Sequence, residues 1–140
     1  MTRYFLDTGP LVAFLNRRDA HHLWAADFYA SAPAPLYTCE AVLVEACHLL
    51  RSFPEAQDAV LQFVKREALI VEPSVASGAE RIGELMRTYR STPMALPDAC
   101  LVWLSEVHDD CRVVTVDRHF LVYRRQGRRV IPTVMPPFGW

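Results

Sequence analysis

Short apolar runs alternate along this chain with longer stretches in which apolar residues recur every three or four positions. A short apolar run bounded by turn residues predicts a buried strand, whereas the longer period predicts one face of a helix. The predicted strands are residues 4–6, 36–38, 69–71, 112–116 and 130–133. The predicted helices are residues 8–15, capped by Thr8, then 22–31, 39–51, 54–65, a helix from 74 or 77 to about 89, and 97–107.

This alternation of strands and helices predicts an α/β fold. Strands separated by helices form a mainly parallel sheet with helices on both faces, so we expect three layers, α/β/α, around four to five strands. The chain has 140 residues, 51% of them hydrophobic, which suffices for one core and is too short for two ordinary domains. We therefore interpret residues 1–140 as a single domain, with its site beyond the C-terminal ends of the strands.

Four acidic residues stand alone inside apolar stretches. They are Asp7, Glu45, Asp98 and Asp117. A carboxylate among buried neighbours costs several kcal/mol unless something compensates for its charge. Each acid alone is equally well explained as a helix cap or as the partner of a buried arginine. All four together favour a single explanation, which is a shared divalent cation.

The predicted elements allow these acids to meet. Asp7 and Asp117 follow predicted strands, and Asp98 lies near the N-terminus of a predicted helix. Glu45 lies in an apolar stripe of another helix. Carboxylate oxygens in this number suit Mg²⁺ or Mn²⁺, and such an ion can polarise a phosphodiester and acidify a water molecule for in-line attack. Hydrolysis of RNA or DNA is the reaction that this equipment predicts.

The charge of the chain limits where a nucleic acid could bind. The net charge is -1 and the isoelectric point is about 6.5, so binding would need a local basic patch rather than a positive field over the whole surface. Five arginines form a candidate patch, and they are Arg118, Arg124, Arg125, Arg128 and Arg129. A solvated hairpin around Gly127 is an equally good interpretation of most of them.

The cysteines and the apolar segments bear on the compartment. The four cysteines form no CxxC pair and are expected to be free thiols in a reducing compartment, and the five histidines have no zinc-ligand spacing to them. We expect no signal peptide at the N-terminus and no membrane span, because the uncharged stretches are too short. A cytoplasmic location is therefore expected.

Four segments resemble motifs of the PIN domain family. They are Asp7-Thr8 after an apolar strand, Glu45 in an apolar helix after Thr38, Leu96-Pro97-Asp98-Ala99, and Thr115-Val116-Asp117 followed by Phe120. Their order and spacing, over essentially the whole chain, are similar to those of VapC-type toxins of bacterial and archaeal toxin-antitoxin pairs. The resemblance implies an endoribonuclease that depends on Mg²⁺ or Mn²⁺, cleaves RNA, forms a homodimer and is silenced by a cognate antitoxin.

The resemblance also implies roles for individual residues. Asp7, Asp98 and Asp117 would hold the metal directly or through water, and Glu45 would hold it through water or activate the nucleophile. Thr115 would position Asp117 or a phosphate. One residue departs from the pattern, since some members of the family carry a further acid two residues after the last aspartate, where this chain has His119. That departure weakens the case for a second metal ion.

Parts of the sequence also resemble proteins with other functions. The triplet Asp7-Thr8-Gly9 is also that of aspartic proteases, but their fold is nearly all β, whereas helices are predicted here. A phosphatase of the haloacid dehalogenase type needs a second aspartate at the position of Gly9. Two alternatives stay open. One is a non-catalytic PIN-like scaffold that binds RNA or protein, and the other is a metal-dependent DNA nuclease, because no residue reads the ribose 2′-hydroxyl.

Overall fold

The computed structural model describes residues 1–137. Its strands are β1 (Arg3–Leu6), β2 (Leu36–Thr38), β3 (Leu69–Val71), β4 (Cys111–Val114), β5 (Arg124–Arg125), β6 (Arg129–Val130) and β7 (Thr133–Val134). Its helices are α1 (Thr8–Leu15), α2 (His22–Ser31), α3 (Glu40–Leu49), α4 (Pro54–Lys65), α5 (Val75–Thr88) and α6 (Leu96–Val107). Five strands form one parallel sheet in the order β3-β2-β1-β4-β7.

β1 lies at the centre of this sheet, between β2 and β4. Phe5 of β1 is in register with Tyr37 of β2 on one side and with Val113 of β4 on the other. The chain passes from β1 to β2 and β3 and returns later to β4, so the strand order reverses beside β1. In open parallel sheets a crevice forms at such a reversal, outside the C-terminal ends of the strands. The residues that follow β1 and β4 therefore meet at one crevice.

Side chains of the central strands alternate between two cores. Phe5 and Val113 belong to a core that they share with α5 and α6, whereas Leu6 and Val114 belong to a core shared with α1, α2 and α4. All four side chains are fully buried. The sheet is therefore covered on both faces, as expected for parallel strands. The predicted three-layer α/β/α fold with a mainly parallel sheet of four to five strands is confirmed, and the sheet has five strands, all parallel.

Two strand boundaries differ from the prediction. The sequence predicts a fifth strand at 130–133, but Val130 pairs with Arg124 in a hairpin and the edge strand of the sheet is β7. Gly127, with a φ of 79°, allows the hairpin turn that takes Val130 out of the sheet. β4 ends at Val114 rather than at residue 116, because the chain turns at Thr115, whose hydroxyl accepts the N–H of Asp117.

Two further expectations from the sequence concern membrane-spanning helices and the state of the cysteines. Within residues 1–137, no helix is both long and apolar enough to cross a membrane. The four cysteines are free thiols, and Cys47 alone among them is partly exposed. The interpretation of residues 1–140 as one domain stays a prediction.

Candidate active site

Asp7 follows β1 and begins α1 at the crevice. Its Oδ1 accepts the backbone N–H of Thr8 at 2.8 Å, so Asp7, rather than Thr8 as predicted, caps the helix. Its Oδ2 accepts the hydroxyl of Thr115 at 2.6 Å. Asp7 is only 5% exposed and Thr115 is fully buried. Both carboxylate oxygens of Asp7 are therefore held by hydrogen bonds below the protein surface.

Thr115 joins the loop after β4 to the loop after β1. Its hydroxyl donates to Asp7 and accepts the N–H of Asp117 at 3.0 Å. The N–H of Asp7 in turn donates to the carbonyl of Val114 at 2.9 Å. Oδ1 of Asp117 accepts the N–H of His119 at 2.9 Å and caps a short 3₁₀ helix. Thr115 thus sets the position of Asp7 relative to Asp117.

The close approach of these two loops depends on Gly9. A Cβ atom added to Gly9 would lie 2.4 Å from Cγ2 of Val116, which is far inside van der Waals contact. Any larger residue at position 9 would therefore require the Val116 side chain, or the loop that carries it, to move. The Asp-Thr-Gly triplet, which aspartic proteases also contain, has a packing role here.

Asp98 reaches the crevice from the first turn of α6. Its Oδ2 accepts the N–H of Ala95 at 3.0 Å, and the hydroxyl of Tyr123 lies 3.5 Å from the same oxygen. Pro97 precedes it in the first turn, where a helix needs no N–H donor. Asp98 is half-buried. A carboxylate at this position also interacts favourably with the positive end of the helix dipole.

Glu45 reaches the same region from α3. It is half-buried and, together with Pro97 of α6, lines an open groove of about 390 Å³ between the two helices. Its negative charge is one of the influences that raise the pKa of Asp98. The structure therefore brings Glu45 into the electrostatic environment of the aspartates, although it makes no hydrogen bond to them in the described contacts.

Asp7 and Asp98 hold protons more tightly than ordinary aspartates do. Burial raises the pKa of Asp7 to about 7, with the charges of Asp98 and Asp117 adding to the effect and the hydrogen bond from Thr115 opposing it. Burial likewise raises the pKa of Asp98 to about 6, with help from the charges of Asp117 and Glu45. The four predicted acids thus act on one another at a single site.

Three of these acids also act as helix caps, as the alternative interpretation of each acid alone expects. A hydrogen bond from a backbone N–H to a capping carboxylate stabilises the ionised form of that carboxylate and lowers its pKa. For Asp7 and Asp98 burial and mutual repulsion outweigh that benefit, since the pKa of each is raised. Capping accounts for how each aspartate is oriented, but it does not account for why the acids are gathered.

The chemistry of the gathered acids fits a hard divalent cation. The donors are all carboxylate oxygens, which Mg²⁺ and Mn²⁺ prefer, and a cation would relieve the repulsion that raises the pKa of Asp7 and Asp98. Within residues 1–137, however, no group of three or more Asp, Glu, His or Cys side chains is already arranged to hold an ion. The site fits a cation in donor type and charge, and its carboxylates would have to draw closer to coordinate one.

Two arginines of the candidate basic patch, Arg124 and Arg125, have structural partners. Arg125 is buried, and its guanidinium donates to the carbonyl oxygens of Ser105 and Asp109 near the end of α6. Arg124 donates to the carbonyl of Leu121 at 2.8 Å. These contacts hold the β5–β6 hairpin against α6 and the 3₁₀ helix. Both residues belong to the hairpin, as one interpretation predicts, but Arg125 is buried rather than solvated.

Sequence reasoning missed Tyr123. This residue is fully buried, and its hydroxyl is directed at the acidic site. Burial, and then the charges of Asp98, Asp117 and Asp7, raise the pKa of Tyr123. The signal in the sequence is its spacing of three from Phe120, which places both rings on one side of a helical turn. That spacing predicts burial and says nothing about which acid the hydroxyl meets.

Solved structures with the same fold include a toxin and two complexes from bacteria. VapC20 from Mycobacterium tuberculosis, a sarcin-ricin loop cleaving toxin, is 25% identical, with a TM-score of 0.72 over 79% of this chain and 86% of that chain. A toxin-antitoxin complex from Klebsiella pneumoniae is 17% identical, with a TM-score of 0.62 and coverage of 82% and 87%. VapBC2 from Rickettsia felis, bound to a DNA fragment from its promoter, is 15% identical, with a TM-score of 0.65 and coverage of 97% and 100%.

At identities of 17% and 15% the likeness is one of fold alone. No curated protein sequence matches the chain significantly. The family model of the PIN domain, in contrast, matches residues 4–126, a range that runs from β1 to the hairpin and includes the crevice with all four acids. Because the match extends over most of the sequence, the chain belongs to the PIN domain family.

Proposed function

We propose that this protein is a metal-dependent endoribonuclease and the toxin of a toxin-antitoxin pair. The observation that carries the proposal is the meeting of Asp7, Glu45, Asp98 and Asp117 at the crevice of a PIN fold, where mutual repulsion and burial raise the pKa of two of them. Such unrelieved negative charge is typical of a site that binds a cation. The likeness to VapC20 supports RNA as the substrate.

In the proposed mechanism Asp7, Asp98 and Asp117 would hold Mg²⁺ or Mn²⁺, directly or through water. When bound, the ion supplies a Lewis acid that polarises the phosphodiester and stabilises the leaving oxygen. Thr115 keeps the carboxylate of Asp7 in one orientation through the 2.6 Å hydrogen bond. Glu45, at the open groove between α3 and α6, accepts the proton of the attacking water. Water attacks phosphorus, the bond from phosphorus to the leaving oxygen breaks, and the leaving oxygen takes up a proton from solvent water to become a hydroxyl.

We also propose the partners and the location of the protein. A cognate antitoxin, as a separate chain, would bind and silence it, and two copies would form a homodimer. The similar structures from Klebsiella pneumoniae and Rickettsia felis, both toxin-antitoxin assemblies, support the antitoxin. The four free thiols support a reducing compartment such as the cytoplasm.

A second candidate is a PIN-like scaffold that binds RNA or protein without cleaving it. It is favoured by one observation, which is that no three of the acids within residues 1–137 are arranged to hold an ion. A nuclease that prefers DNA is a third possibility, because the acidic site alone does not distinguish the two sugars.

The deciding experiment is a cleavage assay with purified, antitoxin-free protein. The substrates are total cellular RNA, an RNA that contains the sarcin-ricin loop, transfer RNA and single-stranded DNA, each with EDTA, Mg²⁺ or Mn²⁺. We expect discrete RNA products in Mg²⁺ or Mn²⁺, none in EDTA, and none from the Asp7→Asn variant. Cleavage of DNA but not of RNA would show that the substrate is DNA. No cleavage by folded protein that binds Mn²⁺ would favour the scaffold.

A further inference from the structure

Two neutral donors converge on one oxygen of Asp98. The N–H of Ala95 donates to Oδ2 at 3.0 Å, and the hydroxyl of Tyr123 lies 3.5 Å from it, at the limit of a hydrogen bond. The first donor is local to the helix and would be present in any N-terminal turn with an acid at this position. The second comes from a segment 25 residues further along the chain and is specific to this site.

The ring of Tyr123 has little freedom to leave this position. Tyr89 and Phe120 each pack edge-on against it with ring centroids 5.1 Å away, and Tyr123 is fully buried. The hydroxyl of Tyr89 also accepts the N–H of Arg124, the next residue in the chain, at 2.9 Å. Contacts with two aromatic rings and a hydrogen bond at the adjacent backbone therefore hold the phenol beside Asp98.

A buried tyrosine normally finds a partner for its hydroxyl, and a backbone carbonyl would serve that purpose. Here the hydroxyl instead faces the carboxylate of Asp98 and lies in the field of Asp117 and Asp7. A phenylalanine would fill the same space in the core. The hydroxyl is thus the part of the residue that packing does not explain.

We propose that Tyr123 is a positioning residue, whose hydroxyl holds Oδ2 of Asp98 and leaves Oδ1 to the divalent cation. This inference rests on the proposed nuclease function. Donors that orient a metal-ligating carboxylate typically contribute 10- to 100-fold in metal affinity or activity. With Tyr123 in place, Asp98 loses less rotational freedom when the cation binds, so the cation binds more tightly.

The test compares wild type with Tyr123→Phe, which keeps the ring and removes only the hydroxyl. We expect the Mn²⁺ concentration for half-saturation, measured by isothermal titration calorimetry, to rise about tenfold. The Mn²⁺ concentration for half-maximal RNA cleavage should rise by the same factor. The matched control is Tyr29→Phe, since the Tyr29 hydroxyl is buried and has no hydrogen-bond partner within residues 1–137. That variant should match wild type in both measurements.

A double-mutant cycle separates positioning from a general effect on the fold. If Tyr123 acts through Asp98, Tyr123→Phe should not weaken Mn²⁺ binding further in an Asp98→Asn background. Thermal unfolding, followed by circular dichroism, establishes that each variant is folded at the assay temperature. A tenfold effect that persists without Asp98 would overturn the inference, because it would not pass through that residue.

The measurements also distinguish a failure of the inference about Tyr123 from a failure of the proposed nuclease function. If wild type binds Mn²⁺ and cleaves RNA, and Tyr123→Phe does both at the same Mn²⁺ concentrations, Tyr123 has only a packing role and the inference is wrong. If wild type neither binds Mn²⁺ nor cleaves RNA, the proposed function fails, and the inference fails with it. An effect in Tyr29→Phe as large as that in Tyr123→Phe would also overturn the inference, by showing that loss of any buried hydroxyl suffices.

Discussion

The two ends of α6 each carry an acidic residue, and the pKa values of these two residues are shifted in opposite directions. Asp98, in the first turn, accepts hydrogen bonds from neutral donors, and burial raises its pKa to about 6. Glu106, in the last turn, accepts two bonds of 2.9 Å from the guanidinium of Arg81 and one from the N–H of Gln126. Burial would raise the pKa of Glu106, but these bonds outweigh it and lower the pKa.

The difference separates an acid that stabilises the fold from one that does not. Glu106 gains more from its ion pair than it loses by burial, so its ionised form favours the folded state. Asp98 is held beside other carboxylates in a half-buried position, and its ionised form disfavours the folded state. Within residues 1–137, no arginine or lysine forms a salt bridge with Asp98 that would offset this cost, as Arg81 does for Glu106. The N-terminal end of α6, where the repulsion between Asp98 and the other carboxylates is not relieved, is therefore where we expect function.

The largest expected effect is the loss of RNA cleavage when Asp98, at the N-terminal end of α6, is replaced. Asp98→Asn should lower the rate of RNA cleavage at least about 100-fold, because losing a metal ligand costs more than losing a group that merely orients one. Glu106→Gln should leave the rate unchanged and lower the free energy of unfolding by about 1–2 kcal/mol, because Arg81 loses a charged partner.

Rates come from a gel-based cleavage assay with saturating Mn²⁺, and stabilities come from urea unfolding. The comparison between the two ends would break down if Glu106→Gln lost activity while remaining folded. It would also break down if Asp98→Asn were fully active.

The next effect concerns the dependence of stability on pH. The pKa of Asp7 is about 7 in the folded protein, against an ordinary value of 3.8. Between these values the folded state keeps a proton that the unfolded state releases, so stability falls as the pH rises from about 4 to 7. We expect Asp7 to contribute a loss of about 2 kcal/mol, less than the full shift implies because water enters when the group ionises.

Thermal unfolding at several pH values tests this expectation with wild type and Asp7→Asn. The variant should gain stability relative to wild type as the pH rises toward 8, and Mn²⁺ should stabilise wild type more than the variant. Glu106 acts in the opposite sense, since its contribution is lost as the pH falls through its lowered pKa. A constant difference between wild type and Asp7→Asn across this pH range would contradict the assignment.

The smallest expected effect is at Thr115. Thr115→Val removes the hydroxyl that donates to Asp7 and accepts from Asp117, so cleavage should fall about tenfold. Thr115→Ser keeps the hydroxyl and should retain most of the activity. Equal rates in the two variants, both folded by circular dichroism, would mean that the hydroxyl does not position the acids.

Much of the fold was predictable because it depends on local patterns. The spacing of apolar residues gave the helices and four of the five strands of the sheet to within a few residues. The fifth strand was misplaced, because a hairpin turn at Gly127 competes for Val130, and that competition depends on pairing with Arg124. A single window of sequence does not contain both partners of such a pair.

The acids of the candidate site were predictable for a different reason. A lone charge in an apolar stretch is costly wherever the stretch is buried, so Asp7, Glu45, Asp98 and Asp117 stand out without knowledge of the fold. Arg125 did not stand out, because it lies among other arginines, yet it is buried and bound to carbonyl oxygens of α6. Whether an arginine faces solvent or a helix end depends on packing between distant elements.

The sequence by itself determined the α/β alternation, the identity of the isolated acids and the chemistry that carboxylates suit, because these follow from side-chain type and local period. The tertiary structure alone decided that β1 and β4 are neighbours, that Gly9 lets their loops touch, and that the hydroxyls of Thr115 and Tyr123 meet Asp7 and Asp98. These contacts join residues 25 to 108 positions apart. The free energies of burial and hydrogen bonding that select them arise only when the layers pack together.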